Sequence, residues 1–361
     1  MATTQTTGFK ADADLLKAAV TQIFAATGVP TKDAALVADS LVLADLRGVS
    51  THGISRLAIY AERIRRGVVS AEPQMRVTRP MPAAVHIDGD NGLGFLVMRR
   101  ATCEAIDCAA QCGIGIASVK NSTHFGMAAT YLLQAVEAGY AAIVFTNASP
   151  SMPVWGGKTP FLGTSPFAFG APGGPGSPPI ILDMATSVVA RGKIRRAAQT
   201  NESIPAGWAL DVDGNETTDA RRAYEGIVLP LGGPKGSGLS LMMEVVAGVM
   251  SGSAFGGQVG DQYRTLDRPQ NVGHSVIAFK PDLFLDRTSY GTRVDQLVVR
   301  AKACPPLDEA QPIQMPGEPE AARMLARLTD GIPLGAEDLA MLGEQAKLSG
   351  FNLDINALRK V

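Results

Sequence analysis

Two histidines in this sequence stand in surroundings that suit acid–base chemistry. His52 lies in the segment STHG and His124 in the segment NSTHFG, so each follows small polar residues and has a glycine close behind it. Glycine lets a ligand or another backbone segment approach closely, and histidine is the natural general acid near neutral pH. We therefore take both as candidate catalytic residues. The other histidines, His86 and His274, belong to strand-like patterns and are predicted to be structural.

His52 also begins a regular series of polar residues. Arg56, Tyr60 and Arg63 follow it at spacings of four, four and three. Residues at these spacings lie on one face of an α-helix. The segment VSTHGISRLAIYAERIRRGVV therefore predicts a helix that presents all four side chains together.

A glycine-rich segment, GGPKGSG at 232–238, precedes an apolar helical pattern. It resembles a P-loop in composition but lacks that motif's spacing. A glycine-rich turn that opens a helix would offer free backbone N–H groups to an anion, and Lys235 would add a positive charge. The segment predicts either a contact for a phosphate or ribose group, or a simple turn.

The fingerprint of the classical dinucleotide-binding fold is not met. Gly113 and Gly115 precede a strand-like segment instead of opening a helix. Gly92 and Gly94 have the correct strand–turn–helix context, but Val97 replaces the third glycine and no acid ends the next strand. A partial match of this kind is weak evidence, so a Rossmann site is not favoured.

Metal binding and disulfide bonding are not predicted either. The four histidines are far apart in sequence, and the four cysteines match no zinc or disulfide framework. We expect these cysteines to be small buried apolar residues in a reducing, cytoplasmic compartment. The cysteines are Cys103, Cys108, Cys112 and Cys304.

The composition excludes several classes of partner. The 361 residues are 46% hydrophobic and carry a formal net charge of −1, which favours a packed core and no nucleic-acid or anionic-membrane partner. The N-terminal residues lack the apolar region of a signal peptide. The longest apolar stretch, Leu239 to Met250, contains Glu244 and is too short to span a bilayer.

The order of patterns along the chain predicts an α/β protein. Helices and strands alternate from about residue 77, after two N-terminal helices, and two more helices end the chain. Residues 151–180 are rich in glycine and proline and are predicted to form long loops around a site. The later segments are predicted as a strand in PIILDMATS, a helix at 192–201, a buried helix in GLSLMMEVVAGVMSG, and strands with loops in SVIAFKPDLF and QLVVRAKAC.

Eight segments, in order over roughly residues 12–335, make the sequence resemble a known family. They are DLRGVSTHGISRLAIY, IDGDNGLGF, GIGIASVKNSTHFGMAATY, TNASPSMPVWGGKTPFLGTSPFAF, ILDMATS, IPAGWALDVDGNETTD, LPLGGPKGSGLSLMMEVVAGVMSGSAFG and MPGEPE. The sequence resembles the malate/L-lactate dehydrogenase family of the second type. This family includes dehydrogenases of L-sulfolactate and ureidoglycolate and reductases of 2,3-diketo-L-gulonate and Δ1-piperideine-2-carboxylate.

The resemblance implies an α/β fold that is not a Rossmann fold. A nicotinamide-binding domain at 81–315 would be built around a large mixed sheet. Residues 1–80 with 316–361 would form a helical region for substrate binding and dimerisation. Members of this family are typically homodimers, and some assemble further, so the resemblance implies a homodimer.

The resemblance also implies roles for particular residues. His52 matches the proton donor, Arg56 and Tyr60 match positions that hold the substrate carboxylate, and His124 matches a second active-site histidine. Asp183 lies in a cofactor-contacting segment and is implicated in catalysis in some members. Thr51 and Thr164 match substrate-binding positions. The implied cofactor-binding residues are Asp183, Met184, Ala185, Thr186, Ser187, Lys235, Gly236, Pro316, Gly317 and Glu318.

The implied reaction is hydride transfer between NAD or NADP and a small carboxylate substrate, a 2-hydroxy acid or its 2-oxo acid. Protonated His52 would donate to the carbonyl oxygen as the hydride arrives. The alternatives are an NADPH-dependent reductase of a cyclic imine acid, a nicotinamide- or metabolite-binding protein without turnover, and a metal-dependent hydrolase or lyase. Threonine at 51 instead of serine, and Ser165 instead of asparagine in GTSP, leave the substrate open.

The sequence does not decide between NADH and NADPH. Four basic residues follow ILDMATS, and they would either meet a 2′-phosphate or form a solvated helix face. They are Arg191, Lys193, Arg195 and Arg196.

Overall fold

The computed structural model describes residues 8–360, which form two compact units. The described part of the helical unit comprises 8–72 and 318–360, and the sheet unit comprises 73–317. The boundaries predicted from the sequence lie at 80/81 and 315/316. The substrate-binding and cofactor-binding roles assigned to these two parts stay predictions.

The bounds of the regular elements follow the chain order. The helices are α1 (Ala13–Ala26), α2 (Thr31–Leu46), α3 (Leu57–Arg65), α4 (Gly94–Cys112), α5 (Ala129–Glu137), α6 (Arg191–Thr200), α7 (Ala220–Glu225), α8 (Pro234–Met243), α9 (Arg287–Lys302), α10 (Glu318–Asp330) and α11 (Ala336–Leu348). The strands are β1 (Phe9–Ala11), β2 (Arg76–Met81), β3 (Ala84–Asp88), β4 (Ile114–Ser122), β5 (Ala141–Thr146), β6 (Phe167–Ala171), β7 (Ile180–Met184), β8 (Ala209–Leu210), β9 (Ile227–Val228), β10 (Val272–Phe279) and β11 (Ile332–Leu334).

The helical unit is held together at its chain ends. Strands β1 and β11 pair antiparallel, which joins the start of the described chain to its last part. Asp12 caps α1 by accepting the backbone N–H of Asp14 at 2.9 Å. The two predicted N-terminal helices are confirmed as α1 and α2, and Pro30 occupies the N-cap position of α2.

The sheet unit is built around a seven-stranded sheet in the order β2-β3-β4-β10-β5-β6-β7. Only β3 and β4 pair in parallel, and the other neighbours in this sheet are antiparallel. The predicted large mixed sheet is therefore confirmed. Strand β10 lies between β4 and β5, although it follows both of them, and also β6 and β7, in the sequence.

Two predicted elements have a different secondary structure. Residues 151–180 are not loops throughout, because 167–171 form β6 and pair with β5 and β7. The segment QLVVRAKAC is helical and ends α9, not a strand. Asp286 starts this helix by accepting the N–H of Ser289 at 2.9 Å, and Val298 faces inward while Leu297 and Val299 stay exposed.

The predicted buried helix in GLSLMMEVVAGVMSG is only half buried. Helix α8 continues into a π-helical turn, Glu244–Val249. Met243 and Ala247 are buried, whereas Leu241, Val245 and Val249 are exposed.

The cysteines also differ from the expectation. Cys108 is buried, but Cys103, Cys112 and Cys304 are exposed, and all four are free thiols. Within residues 8–360, no cluster of three or more His, Cys, Asp or Glu side chains has the arrangement of a metal site. No helix in the same part of the chain is long and apolar enough to cross a membrane.

Candidate active site

In the helical unit, the segment that carries His52 is not one continuous helix. Ser50–His52 and Ile54–Arg56 form two short 3-10 turns, and α3 begins only at Leu57. Gly53 separates the turns in an extended conformation, with φ −90° and ψ −151°. The single helix face predicted from the spacing is therefore wrong, because the chain changes direction immediately after His52.

A buried carboxylate explains this break. Asp45, near the end of α2, is 4% exposed and accepts the N–H of Ile54 at 2.8 Å. A Cβ at Gly53 would lie 2.1 Å from Asp45 Oδ1, so only glycine fits against the carboxylate. Asp45 thus clamps the link between the turn of His52 and the turn of Arg56. Asp45 is not among the site residues predicted from the sequence, although it opens the block DLRGVSTHG.

Asp45 itself sits in an unusual electrostatic environment. The pKa of its carboxyl is raised to about 7, chiefly because burial disfavours the charged form. The hydrogen bond from the N–H of Ile54 favours the charged form and opposes this rise. Asp338 adds to the rise and Arg327 opposes it. Arg327 also donates to the backbone carbonyl of Asp45, which joins α10 to the end of α2.

The side chains of the two turns contact each other. Thr51 Oγ1 lies 3.0 Å from His52 Nδ1, and Arg56 Nε donates to the carbonyl oxygen of Thr51. Burial, and to a smaller extent the nearby guanidinium of Arg56, lowers the pKa of His52 to about 3. His52 is therefore neutral at neutral pH in this arrangement, in contrast to the protonated donor expected from the sequence. Tyr60 lies on α3 and is 2% exposed.

In the sheet unit, His124 lies on the loop between β4 and α5. The backbone N–H of Gly126 donates to His124 Nδ1 at 3.1 Å. Gly126 has φ +79°, and a Cβ there would lie 2.3 Å from the ring of Phe95. The glycine seen in the sequence after His124 therefore serves the local hydrogen bond and the packing of the loop.

Asp183 reaches the start of the helix that follows this loop. It lies on β7, opposite Ala168 of β6. Its Oδ2 accepts the N–H of Ala129 at 2.8 Å, at the first residue of α5. The structure thus brings Asp183 to the segment that carries His124, although the two are far apart in sequence.

The predicted cofactor-contacting segments meet beside β7. The N–H of Thr186 donates to the carbonyl of Thr164 at 3.3 Å, and the N–H of Leu231 donates to the carbonyl of Thr186 at 2.9 Å. Ser187 bridges to Pro230. A Cβ at Gly236 would lie 2.5 Å from the carbonyl oxygen of Thr186, so the two segments pack closely.

The third predicted segment lies at the other end of β7. The N–H of Ile181 donates to the carbonyl of Pro316 at 3.0 Å. Gly317 has φ +90° and packs on Ile181, where a Cβ would come within 2.8 Å of the Ile181 Cβ. Met184 and Ala185 continue from β7 toward Thr186. Glu318 begins α10 and belongs to the helical unit, as do Thr51, His52, Arg56 and Tyr60.

The glycine-rich loop at 232–238 does not offer the free N–H groups expected from the sequence. The N–H of Gly233 donates to Pro230, that of Gly236 to Leu231 and that of Ser237 to Gly233. Pro234 has no N–H to donate. This loop can still offer a positive charge to an anionic ligand, through the exposed side chain of Lys235.

The four basic residues on α6 divide into two pairs. Arg191 lies over the ring of Tyr224, with 5.2 Å to the centroid, and also donates to its carbonyl. Arg195 lies over the ring of Tyr263 at 5.0 Å. Within residues 8–360, the side chains of Lys193 and Arg196 make no such ring contact or hydrogen bond.

The polar character of this region fits a phosphorylated, hydroxyl-rich cofactor. Ser165 Oγ and Thr186 Oγ1 are buried without a hydrogen-bond partner among the described residues. Lys235 adds an exposed positive charge at the adjoining loop. An apolar prosthetic group could not form hydrogen bonds with these hydroxyl groups, so their burial would remain uncompensated.

Comparison with known proteins identifies relatives over nearly the whole chain. Residues 11–342 match the family described as malate/L-lactate dehydrogenase. Malate dehydrogenase of Pyrococcus horikoshii is 38% identical over 93% of this chain and 94% of its own length. (2R)-3-sulfolactate dehydrogenase (NADP(+)) of Chromohalobacter salexigens is 38% identical over 72% of this chain and 78% of its own. Ureidoglycolate dehydrogenase (NAD(+)) of Escherichia coli is 33% identical, with 85% and 87% covered.

Solved structures agree with these sequence matches. Sulfolactate dehydrogenase of Methanocaldococcus jannaschii superimposes with a TM-score of 0.89 and 34% identity, covering 97% of this chain and 99% of that one. Δ1-Piperideine-2-carboxylate reductase of Pseudomonas syringae gives a TM-score of 0.85 and 28% identity, covering 93% and 99%. The family match and the extent of these relatives lead to one conclusion: this chain belongs to the malate/L-lactate dehydrogenase family.

Proposed function

We propose that the protein is a nicotinamide-dependent dehydrogenase that interconverts a small 2-hydroxy acid and its 2-oxo acid. The observation that carries this proposal is its match, over 72% to 93% of its length, to dehydrogenases named for malate, sulfolactate and ureidoglycolate. These substrates share a carboxylate next to a carbon that bears a hydroxyl group. Family membership makes the chain an oxidoreductase that acts on CH–OH groups.

Bound NAD or NADP would supply the hydride chemistry, and the protein would supply position and charge. Lys235, the segment Asp183 to Ser187 with Gly236, and Pro316-Gly317-Glu318 are the residues we propose to hold it. Thr164 would lie near both nicotinamide and substrate. The relatives named with NAD(+) and with NADP(+) support either form of the cofactor.

Arg56 would bind the substrate carboxylate, with Tyr60 and Thr51 beside it. Its Nε donates to the carbonyl of Thr51, which fixes the plane of the guanidinium. A carboxylate would then bind through the two Nη atoms, in the paired geometry that arginine favours. This contact would set the distance between the hydroxyl-bearing carbon and the nicotinamide.

His52 would move the hydroxyl proton. Because its pKa is lowered to about 3, it is neutral at neutral pH, which is the form that accepts the proton during oxidation, but the low pKa makes it a weak base. In reduction it would first have to gain a proton. A carboxylate bound to Arg56 would partly cancel the guanidinium charge that helps to lower the pKa, and so favour that protonation.

His124 and Asp183 would complete the catalytic set. Asp183 accepts the N–H of Ala129 and so holds the first turn of α5, directly after the loop of His124. A hydrogen bond from His124 to the substrate oxygen would stabilise the negative charge that develops there.

The test is a panel of 2-oxo acids and cyclic imine acids, each assayed with NADH and with NADPH by loss of absorbance of the reduced nicotinamide. We expect turnover with at least one carboxylated 2-oxo acid and none with the matching amide or ester. Turnover that is indifferent to the carboxylate would contradict the proposal. Tight binding of nicotinamide with no turnover would favour a non-catalytic binding protein, and loss of activity on chelation would favour a metal-dependent enzyme.

Reduction of a cyclic imine is a second candidate. The structural match to Δ1-piperideine-2-carboxylate reductase supports it, since that substrate also carries a carboxylate beside the reducible carbon. The same panel separates the two reactions. A preference for the imine of more than about tenfold in kcat/KM would replace the 2-oxo acid as the proposed substrate.

We also propose that the protein acts as a cytoplasmic homodimer. The exposed free thiols of Cys103, Cys112 and Cys304 fit a reducing compartment. Light scattering coupled to size-exclusion chromatography tests the assembly. A monomeric mass at micromolar concentration would contradict the homodimer.

A further inference from the structure

His274 is a buried histidine that the proposed reaction does not use. It lies at the start of β10 and is 0% exposed. Its Nε2 lies 3.1 Å from the carbonyl oxygen of Thr123 and 2.9 Å from Ser122 Oγ. Its Nδ1 lies 2.8 Å from Thr146 Oγ1. Both ring nitrogens therefore have partners inside the sheet.

These contacts decide the protonation of His274. A carbonyl oxygen only accepts hydrogen bonds, so the contact with Thr123 requires a proton on Nε2. Nδ1 then carries no proton and competes for the single hydroxyl proton of Thr146 with the carbonyl oxygens of Asn147 and Gly273, which lie 2.9 and 3.1 Å from Thr146 Oγ1. Burial lowers the pKa of His274 to about 3, which keeps the ring neutral. The residue is a fixed hydrogen-bonding group and not a second acid.

His274 also holds the residue on the other side of His124. Its ring stacks on Phe125 with 4.9 Å between centroids and an angle of 6°. Phe125 stacks in turn on Tyr131 at 5.1 Å, and the Tyr131 hydroxyl donates to the Phe125 carbonyl at 2.5 Å. One buried ring thus contacts both Thr123 and Phe125, the two neighbours of His124.

The tautomer of His124 follows from the conformation of the loop that these contacts hold. The N–H of Gly126 donates to His124 Nδ1, so that nitrogen carries no proton. In a neutral imidazole the proton must then be on Nε2. The bond requires the left-handed backbone of Gly126, and therefore the loop conformation itself.

We propose that His274 is a positioning residue that fixes His124 as its Nε2–H tautomer. His124 then meets the substrate oxygen as a neutral hydrogen-bond donor, because a proton on Nδ1 would break the bond from Gly126. The kinetic part of this inference rests on the proposed function. The structural part, the tautomer of His124, does not.

The experiment is long-range ¹H–¹⁵N NMR of the intact protein labelled at its four histidines. A His124→Gln variant identifies the signals of His124. We expect wild-type His124 to show an unprotonated Nδ1 and a protonated Nε2. In His274→Phe, which keeps a stacked ring but loses the hydrogen bonds, we expect mixed tautomers and a kcat lowered about tenfold, with KM changed less than about twofold.

Two further variants separate positioning from stability. His274→Gln offers an N–H donor to Thr123 without the aromatic stack, and we expect it to restore the tautomer and most of kcat. Val276→Ala removes buried volume from the same strand, and we expect it to lower Tm without changing the tautomer. If His274→Phe does not fold, His274→Gln and His274→Leu are compared, because both lose the stack and only glutamine keeps an N–H donor for Thr123. The same His124 tautomer in these two variants would overturn the inference.

The outcomes are distinct. An unchanged His124 tautomer in folded His274→Phe would overturn the inference, and so would mixed tautomers in the wild type. If the wild type turns over no 2-oxo acid or imine, the proposed function fails while the NMR result still decides the role of His274.

Discussion

The two histidine-bearing loops, one in each unit, are held by opposite means. His52 Nδ1 faces the hydroxyl of Thr51, which can donate or accept, and its loop is clamped by the titratable carboxyl of Asp45. His124 Nδ1 faces a backbone N–H, which can only donate, and its loop is held by a neutral buried ring. The first arrangement admits either tautomer of its histidine. The second keeps one tautomer in place.

The largest expected effect follows from removing the imidazole of His52. His52→Ala should lower kcat by about 10²–10⁴-fold, because the group that exchanges the hydroxyl proton is lost. Nicotinamide binding, measured by fluorescence titration, should persist. His86→Ala is the matched control for loss of an imidazole, since His86 bonds to the carbonyl of Ser251 and lies outside the proposed site. Near-normal turnover in His52→Ala would remove it from the mechanism.

The next effect tests the clamp of the His52 loop. Gly53→Ala should lower kcat/KM by about 10–100-fold, because its Cβ would overlap the Asp45 carboxylate and displace both turns. Gly343→Ala, in α11 with no atom within 4 Å of the added Cβ, should keep full activity. In Asp45→Ala the same Gly53→Ala change should cost much less, because the overlap is removed. Additive losses in this double-mutant cycle would argue against the clamp.

A smaller effect concerns the charge beside His52. Arg56→Lys should raise KM for carboxylate substrates about tenfold, because a point charge replaces a planar fork that is fixed by Thr51. Steady-state kinetics on a 2-oxo acid and its amide measure it. Arg66→Lys, on the C-terminal side of α3 and paired with Glu62, is the control. An unchanged KM would mean that Arg56 is not the anchor.

A fourth effect concerns the stability of the fold and not turnover. The pKa of Asp45 is raised from 3.8 to about 7 in the folded chain, so the folded state holds this proton more tightly than the unfolded state. Its contribution is therefore complete below pH 4 and is lost as the pH rises toward 7, by at most roughly 4 kcal/mol. Denaturant unfolding between these pH values should show a flatter stability profile for Asp45→Asn. The exposed Glu337→Gln should keep the wild-type slope, and a wild-type slope in Asp45→Asn would contradict the assignment.

The sequence predicts local features of this site better than their connections. The glycines beside His52 and His124 mark real backbone constraints, and the alternation of patterns leads to the mixed sheet. The helix expected from His52 to Arg63 fails because periodicity carries no information about a buried carboxylate one element earlier. The loop at Lys235 fails as an N–H donor because Pro230, Leu231 and Gly233 accept its N–H groups, and such pairing depends on the folded turn.

Long-range pairing is the other limit of prediction. His274 looked like an ordinary strand residue, since its partners Ser122, Thr123 and Thr146 lie more than 120 positions earlier. No local pattern signals that β10 enters between β4 and β5. The role of His274 beside His124 becomes visible only once the order of the sheet is known.

The central position of β10 has a consequence for how the protein is made. Its residues 272–279 pair with 114–122 on one side and 141–146 on the other. The strands β4 and β5 are synthesised first, so each has an unpaired edge until about three quarters of the chain has left the ribosome. Contacts of such sequence separation make folding slow, and unpaired edges invite association with other chains. A chain truncated before residue 272 is therefore expected to aggregate during synthesis, and chaperones are expected to engage the nascent chain in that interval.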